Sequence, residues 1–534
     1  MEADVKYKWL PHLEDAVPLA GQGKRISTYT VSLEGWRRGL HLQFYSVFED
    51  GNKLKVRYSL SDDNKTHHFQ LSMGDKVSQQ AFDICDDKDL TKQYLGQHNV
   101  PVPQGEMFGI ETSEEEMVQY GLSLGFPIVV KPTDGNAGKG VFANIQSENH
   151  LREVIPHVRD ELGFDEIIIE KYITGEEFRI YVIEDKVLGA MNRRPANVTG
   201  DGVSSIRQLI HEKNRMRKIN PHLTSRLIRV DREIERILEE SGYTLNAIPK
   251  EGELVFLREK SNLSTGGDAV NVSDQLTPEI IQIAIDAGKA IPGLSHYGVD
   301  MIVSDDRKKG VILEVNSRPG LGGHLFPGEG VPQDFAKDII DYYFPETKDT
   351  ERSSLYFDFD NVLEPIKSRT AKNVNLLQPP KGKLYGRKLV ISGEFDRRSF
   401  RREINSYARE YEMHGYIEET EENEIDIIIV GVDEQEIINV KNTCYKIVQD
   451  GEIDNIEESE WNKPIQIGFF TKSKELSKSE VNELIIDNEQ YRRENAYLTK
   501  KHEQVIKSRA WKATFPVRFI LQKVKQGIRS ISNK

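Results

Sequence analysis

Lys131 ends an apolar run, Ile128-Val-Val, and is followed by Pro-Thr-Asp134-Gly135-Asn136-Ala-Gly138-Lys139-Gly140-Val141. Holding a phosphate requires backbone N–H groups and ammonium groups close to the anion, and glycine permits that approach. The pattern predicts a buried strand ending in Lys131, a glycine loop, and a return into a second strand. It is not the G-x-x-x-x-G-K-[ST] loop, which occurs nowhere in the chain. Downstream, Ile167-Ile-Ile-Glu170-Lys171-Tyr172-Ile173 reads as a strand with an abrupt polar end, followed by Thr174-Gly175-Glu176-Glu177. Such an end can offer backbone groups to an adenine edge, with a nearby carboxylate for ribose hydroxyls. A strand closing in a charged turn is the plainer alternative.

A second constellation suits a cation. In Val311-Ile-Leu-Glu314-Val-Asn316 the two polar side chains project from one face of a strand, because strand side chains alternate. Asp300, in Tyr297-Gly-Val-Asp-Met301, would add a third oxygen ligand from a neighbouring strand. Magnesium is commonly held by one or two carboxylates together with substrate phosphates. A surface Glu/Asn pair is the rival reading, but Glu314 sits in an apolar run where an unpaired charge is costly.

The elements that must carry these residues fit a chain of several domains. At 534 residues, and about 150 residues per domain, three or four are expected. The apolar fraction of 37% and charged fraction of 30% describe a soluble protein. No run of about 18 uninterrupted apolar residues occurs, so no transmembrane helix is expected. Met1 to Leu10 lacks the apolar centre of a signal peptide, and the two cysteines, Cys85 and Cys444, fit a reducing cytoplasm. Net charge is −14, but Val505 to Lys534 holds eight Lys or Arg and no acid, leaving −22 on the remainder. That acidic body argues against nucleic-acid binding.

The motifs together resemble the ATP-grasp superfamily, and most of all the ATP-grasp domain of cyanophycin synthetases. The shared segments are Asp87-Lys88-Asp-Leu-Thr-Lys92 with Val100-Pro-Val-Pro103, then Val130 to Gly140, and Arg194-Pro-Ala-Asn-Val-Thr-Gly-Asp-Gly202. Leu257-Arg258-Glu-Lys-Ser-Asn262-Leu-Ser-Thr-Gly-Gly267 and Leu313 to Leu325 complete them. The chain reads as α/β and α+β multidomain: the resemblance implies an ATP-grasp domain over 84–345, strand and helix patterns predict an N-terminal α/β domain over 1–83 and a βαββαβ domain over 385–470, and a poorer pattern with Pro379-Pro380 predicts a linker over 346–384. The resemblance further implies that Lys88 and Lys131 contact the ATP phosphates under a closing loop, Asp134 to Val141. Glu170, Lys171 and Ile173 form the adenine hinge, with Glu177 on the ribose. Asp300, Glu314 and Asn316 hold magnesium, with manganese as an alternative ion. Arg258 and Asn262 to Gly267 face an acyl phosphate; Arg194, Arg318 and His324 are candidates near the substrates. The implied reaction is ATP-dependent ligation of a small carboxylate to an amine. The chain departs from cyanophycin synthetases in lacking their second ATPase region with its P-loop, so synthesis of that polymer is not expected.

Residues 385–470 resemble an acylphosphatase, with Arg401 at the anion-binding position, but Asp396 to Ser399 replace the loop glycines and Glu419 replaces the catalytic asparagine. Hydrolysis is therefore a rival expectation, and a degenerate module the main one. Beyond Lys472, Val481, Leu484, Asn488, Tyr491, Asn495, Leu498, His502 and Val505 fall on a heptad, which fits either a coiled coil over 473–507 that pairs the chain as a homodimer or a solvated helix packed on its own protein. In 508–534, Val517, Ile520, Leu521, Val524, Ile528 and Ile531 mark one face of a basic amphipathic helix. This fits peripheral contact with anionic lipid at the inner membrane face. Ser508 to Arg518 is also similar to a tail on cell-surface polysaccharide glycosyltransferases, which points towards an envelope precursor as acceptor. The rival is a membrane-associated scaffold that binds ATP.

Overall fold

A computed structural model describes residues 9–49, 53–133, 140–420, 424–448 and 451–472. The heptad helix and the basic tail lie outside the described residues, as do Asp134, Gly135, Asn136, Gly138 and Lys139.

The N-terminal unit packs the helix Ile26–Arg37 against an antiparallel sheet made by His41–Glu49, Lys53–Ser61, Thr66–Gln70 and Met73–Gly74. Its core holds Tyr29, Trp36, Phe44 and Tyr58. The expected linker over 346–384 is not a linker. Asn373–Asn375 adds an edge strand to this sheet, with Gln43 opposite Asn375. The helix Phe359–Lys367 buries Phe359, Val362, Leu363 and Ile366 in the same core. Phe357 packs between Tyr29 and Trp36, with centroids 5.1 and 5.5 Å away. The Trp36 indole N–H donates to the Leu377 carbonyl at 2.8 Å. These apolar side chains complete a core that residues 1–83 alone leave open, which is why the segment folds back.

Two sheets form the middle of the chain. One is antiparallel, ordered Gly105–Phe108, Ile167–Lys171, Ile128–Pro132 and Phe142–Ile145, covered by the helices Glu114–Leu124 and Glu148–Pro156. The other is ordered Asp268–Asn271, Lys186–Arg194, Glu176–Ile183, His296–Val303 and Gly310–Asn316. One face of this second sheet is apolar throughout: Phe178, Ile180, Val182, Val299 and Met301 join the core under Pro278–Ala290. The opposite face changes character along its length. On Glu176–Ile183, Tyr181 and Ile183 sit in the N-terminal core, whereas Glu177 and Arg179, on the same face four and two residues before Tyr181, are charged. That change of character marks where the hydrophobic packing of this face ends.

The C-terminal domain orders Gly451–Glu460, Tyr385–Phe395, Ile425–Gly431, His414–Glu419 and Phe469–Lys472, with helices Arg397–Glu410 and Glu434–Ile447. Its strand Ile425–Gly431 is a near-continuous apolar run, the signature of burial on both faces. Ile425, Ile427 and Ile429 face the domain's own helices. Ile428 and Val430 join the N-terminal core with Tyr29 and Phe357.

Phe357→Ala is expected to cost about 3–5 kcal/mol, the usual range for a buried aromatic truncated to Ala. Urea denaturation followed by tryptophan fluorescence measures this; a change near zero would return 346–384 to linker status.

Candidate nucleotide and metal site

Lys131 and Glu170 meet across adjacent antiparallel strands. Val129 lies opposite Glu170 and Lys131 opposite Ile168, so the two charged side chains are diagonal neighbours on one face. Lys131 Nζ donates to Glu170 Oε1 at 2.5 Å, and Lys92 Nζ donates to Oε2. Glu170 is 2% exposed. Burial alone would raise its carboxyl, but the two ammoniums outweigh burial and hold it below the usual glutamate range. Lys92 comes from the helix Lys88–Gln97, which Asp87 caps by accepting from the Asp89 and Leu90 amides at 2.9 Å. Lys88, one turn before Lys92, reaches the Thr133 carbonyl at 3.1 Å, at the threshold of the glycine loop. Gly140 closes that loop at φ +74°, and a Cβ there would press on Phe164 and Pro132.

The polar strand end is engaged differently from expectation. Lys171 Nζ donates to the Leu124, Gly125 and Phe126 carbonyls, the closest at 2.7 Å, and so caps the helix Glu114–Leu124. Its amide donates to Gln104 O. Ile173 follows beyond the strand, half-buried.

On the second sheet the expected cation ligands share one face. Asp300 stands opposite Glu314, with Asn316 two residues further along. Asp300 is 3% exposed and is gripped by Arg179, whose Nε and Nη2 each donate at 2.6 Å, with Arg193 Nη1 at 3.1 Å. Burial pushes its carboxyl up, and the two guanidiniums more than reverse this, leaving it below the usual aspartate range. Arg193 also donates to Glu177 at 2.7 Å, where burial dominates and raises the carboxyl. Glu314 has no hydrogen bond or ion pair within the described residues, and Asn316 keeps a buried amide nitrogen without a partner. Those two side chains fit a hard cation, whereas Asp300 is already shared between two arginines. Among the described residues no three His, Cys, Asp or Glu form a metal cluster on their own.

Arg258, 6% exposed, is pinned by Asp231 at 2.6 Å, by Glu233, and by the Thr265 carbonyl at 3.2 Å. Asn262 caps the following turn by accepting from the Ser264 amide at 2.9 Å. A Cβ on Gly267 would strike the carbonyls of Asn262 and Arg194, so the turn lies against Arg194. Arg194 itself pairs with Glu329 at 2.8 Å. Arg318 stacks on Phe82 and approaches Asp86 at 3.5 Å. Lys260 donates to the Val141 carbonyl at 2.8 Å, joining the 258–267 stretch to the end of the glycine loop. Burial, and after it the Glu314 and Asp86 charges, lift the thiol of Cys85, three residues before Lys88, to about 12.

Residues 85–321 match the family described as ATP-grasp domain, and residues 387–472 match the family described as Acylphosphatase. The chain contains an ATP-grasp domain. A cyanophycin synthetase of Trichormus variabilis is 37% identical over 285 residues, covering 52% of this chain and 31% of that protein. The glutathione biosynthesis bifunctional protein GshAB of Clostridium perfringens is 31% identical over 332 residues, covering 60% of this chain and 41% of its own length. The crystal structure of a bifunctional glutathione synthetase from Pasteurella multocida is 28% identical, with a TM-score of 0.44, covering 54% of this chain and 41% of that one. The chain thus spans less than half the length of these relatives.

Two expectations for the ATP-grasp domain change. His324 is not in a substrate pocket: it is 2% exposed, packed on Phe335 with centroids 4.4 Å apart, and burial pushes its imidazole down to about 3. Arg179, Arg193 and Lys92 enter the site although sequence reasoning assigned them no role. The alternation Glu177-x-Arg179 on an apolar strand was the available signal for the first. In the acylphosphatase-like domain, Arg401 Nη1 donates to Glu419 Oε1 at 2.8 Å, so the anion-binding arginine faces an internal carboxylate.

Asp300→Asn leaves two buried guanidiniums without their counter-charge and is expected to cost about 3–5 kcal/mol at neutral pH. Because the folded-state carboxyl is held low, its contribution is present above the ordinary aspartate range and is lost as pH falls through the lowered value. The stability gap between parent and variant should therefore narrow on acidification, as chemical denaturation across pH will show.

Proposed function

We propose that this chain joins a carboxylate to an amine at the expense of ATP, through an acyl phosphate. The carrying observation is that Lys88–Thr133 and Lys260–Val141 tie the Lys131 strand, the glycine-loop ends and the 258–267 stretch to one another. In this reading a substrate carboxylate oxygen attacks the γ-phosphorus, ADP leaves, and the amine then displaces phosphate from the acyl carbon. Bringing two anions together is opposed by repulsion, which positive groups must offset. Lys131 and Lys88 supply charge from the strand and helix ends. Arg258 is committed to Asp231 and Glu233, so it acts by fixing the 258–267 turn. Magnesium, held by Glu314 and Asn316 with Asp300 beside them, would neutralise phosphate charge when bound. The mixed anhydride is water-sensitive, so the reaction needs water kept from it.

The family match and the relatives' names support ligase chemistry; the particular acid and amine are not fixed by them. An envelope precursor as acceptor is supported by the sequence of the tail alone. No helix among the described residues is long and apolar enough to cross a membrane.

Substrate-dependent ADP release, screened across amino acids and amino or uronic sugars, tests the reading. Lys131→Ala with Glu314→Ala is expected to abolish release; a double variant that releases ADP as fast as the parent would sink the proposal. The rival hydrolase reading has its own test in the full-length chain. With Glu419 on Arg401, benzoyl phosphate hydrolysis is expected to be no faster than in an Arg401→Ala variant, and a clear excess in the parent would revive it.

A further inference from the structure

Glu170 has more counter-charge than one carboxylate needs. Two ammoniums close on it, Lys131 on Oε1 and Lys92 on Oε2, and neither has another acidic partner within ion-pair reach among the described residues. The trio therefore carries one surplus positive charge in a place nearly closed to water. Lys131 belongs to the strand that leads into the glycine loop, whereas Lys92 enters from a separate helix, one turn beyond Lys88.

Resting on the ATP reading above, we propose that Lys92 is a positioning residue for the nucleotide, holding Glu170 so that the Lys131 ammonium stays available to a phosphate. A buried carboxylate stripped of its only partner is strongly destabilised. Were Lys131 the sole partner, every move of its ammonium onto a phosphate would strand Glu170, and that cost would be subtracted from nucleotide affinity. With Lys92 in place, Lys131 exchanges one anion for another while Glu170 remains paired. No bond is made or broken in this step; only hydrogen-bond partners change. Lys92→Met should thus convert a trio with one surplus charge into a neutral Lys131–Glu170 pair. Adding Glu170→Gln to it restores the surplus and releases Lys131.

Calorimetry of the full chain with magnesium and the non-hydrolysable analogue AMP-PNP reads this directly. Lys92→Met is expected to weaken binding by about tenfold or more, since one charge removed a few ångströms from a phosphate outweighs RT several-fold. Lys92→Arg should retain binding, and Lys92→Met with Glu170→Gln should bind more tightly than Lys92→Met alone. Thermal unfolding of each variant separates a folding defect from an affinity change, and a purely structural Lys92 would not be rescued by removing the carboxylate. Unchanged affinity in Lys92→Met, or a double variant as weak as the single, overturns the proposal while leaving the ATP reading standing. No heat from the parent chain overturns both, and the two failures are thereby told apart.

Discussion

Buried charge is the constraint around which the central part of this chain is organised. The face of the five-stranded sheet that starts with Tyr181 and Ile183 in a hydrophobic core ends with the ion-paired Glu177, Arg179 and Asp300. An ionised group there cannot rely on water, so it must find its opposite within the protein. The chain meets that demand with networks: Arg193 bridges Glu177 and Asp300, Arg179 forks onto Asp300, and two lysines share Glu170. These pairs fix rotamers of long side chains before any ligand arrives, so binding starts from an ordered site. Glu314 and Asn316 stand apart because no described side chain takes up their polar atoms in this way, and they are the two that fit a cation.

The sequence made the site's strands legible because each functional residue interrupts an apolar run. Lys131, Glu170 and Glu314 all sit at or near the end of three or more aliphatic residues, and each lies on a strand. The pairings were not legible. Which arginine faces Asp300 depends on how Glu176–Ile183, Lys186–Arg194 and His296–Val303 are ordered in the sheet, and local spacing carries no record of that order. His324 was expected near the substrates on the family resemblance alone, yet the short turn Gly322–Leu325 packs it under Phe335.

The segment 346–384 misled for a compositional reason. Its apolar residues are interleaved with Asp, Glu and Lys, and Pro379-Pro380 follows, so the average looks like a spacer. The helical spacing of Phe359, Val362, Leu363 and Ile366 is the informative part, and its partners lie hundreds of residues upstream in Tyr29 and Phe44. Helices of such length take their stability from packing more than from propensity. A short amphipathic helix therefore becomes visible only when the surface it covers is known.

Ile428 and Val430 give the chain a mechanical property that its modular appearance conceals. A strand from the last domain is seated in the same oily interior as the first helix, so heat or denaturant meets one cooperative body rather than beads on a string. A protease nick within 346–384 would leave both halves clasped together, and a gene fragment ending there would lack Ile428 and Val430 and so open the core they cover to solvent. The acylphosphatase-like part is thereby built into the wall of the N-terminal core.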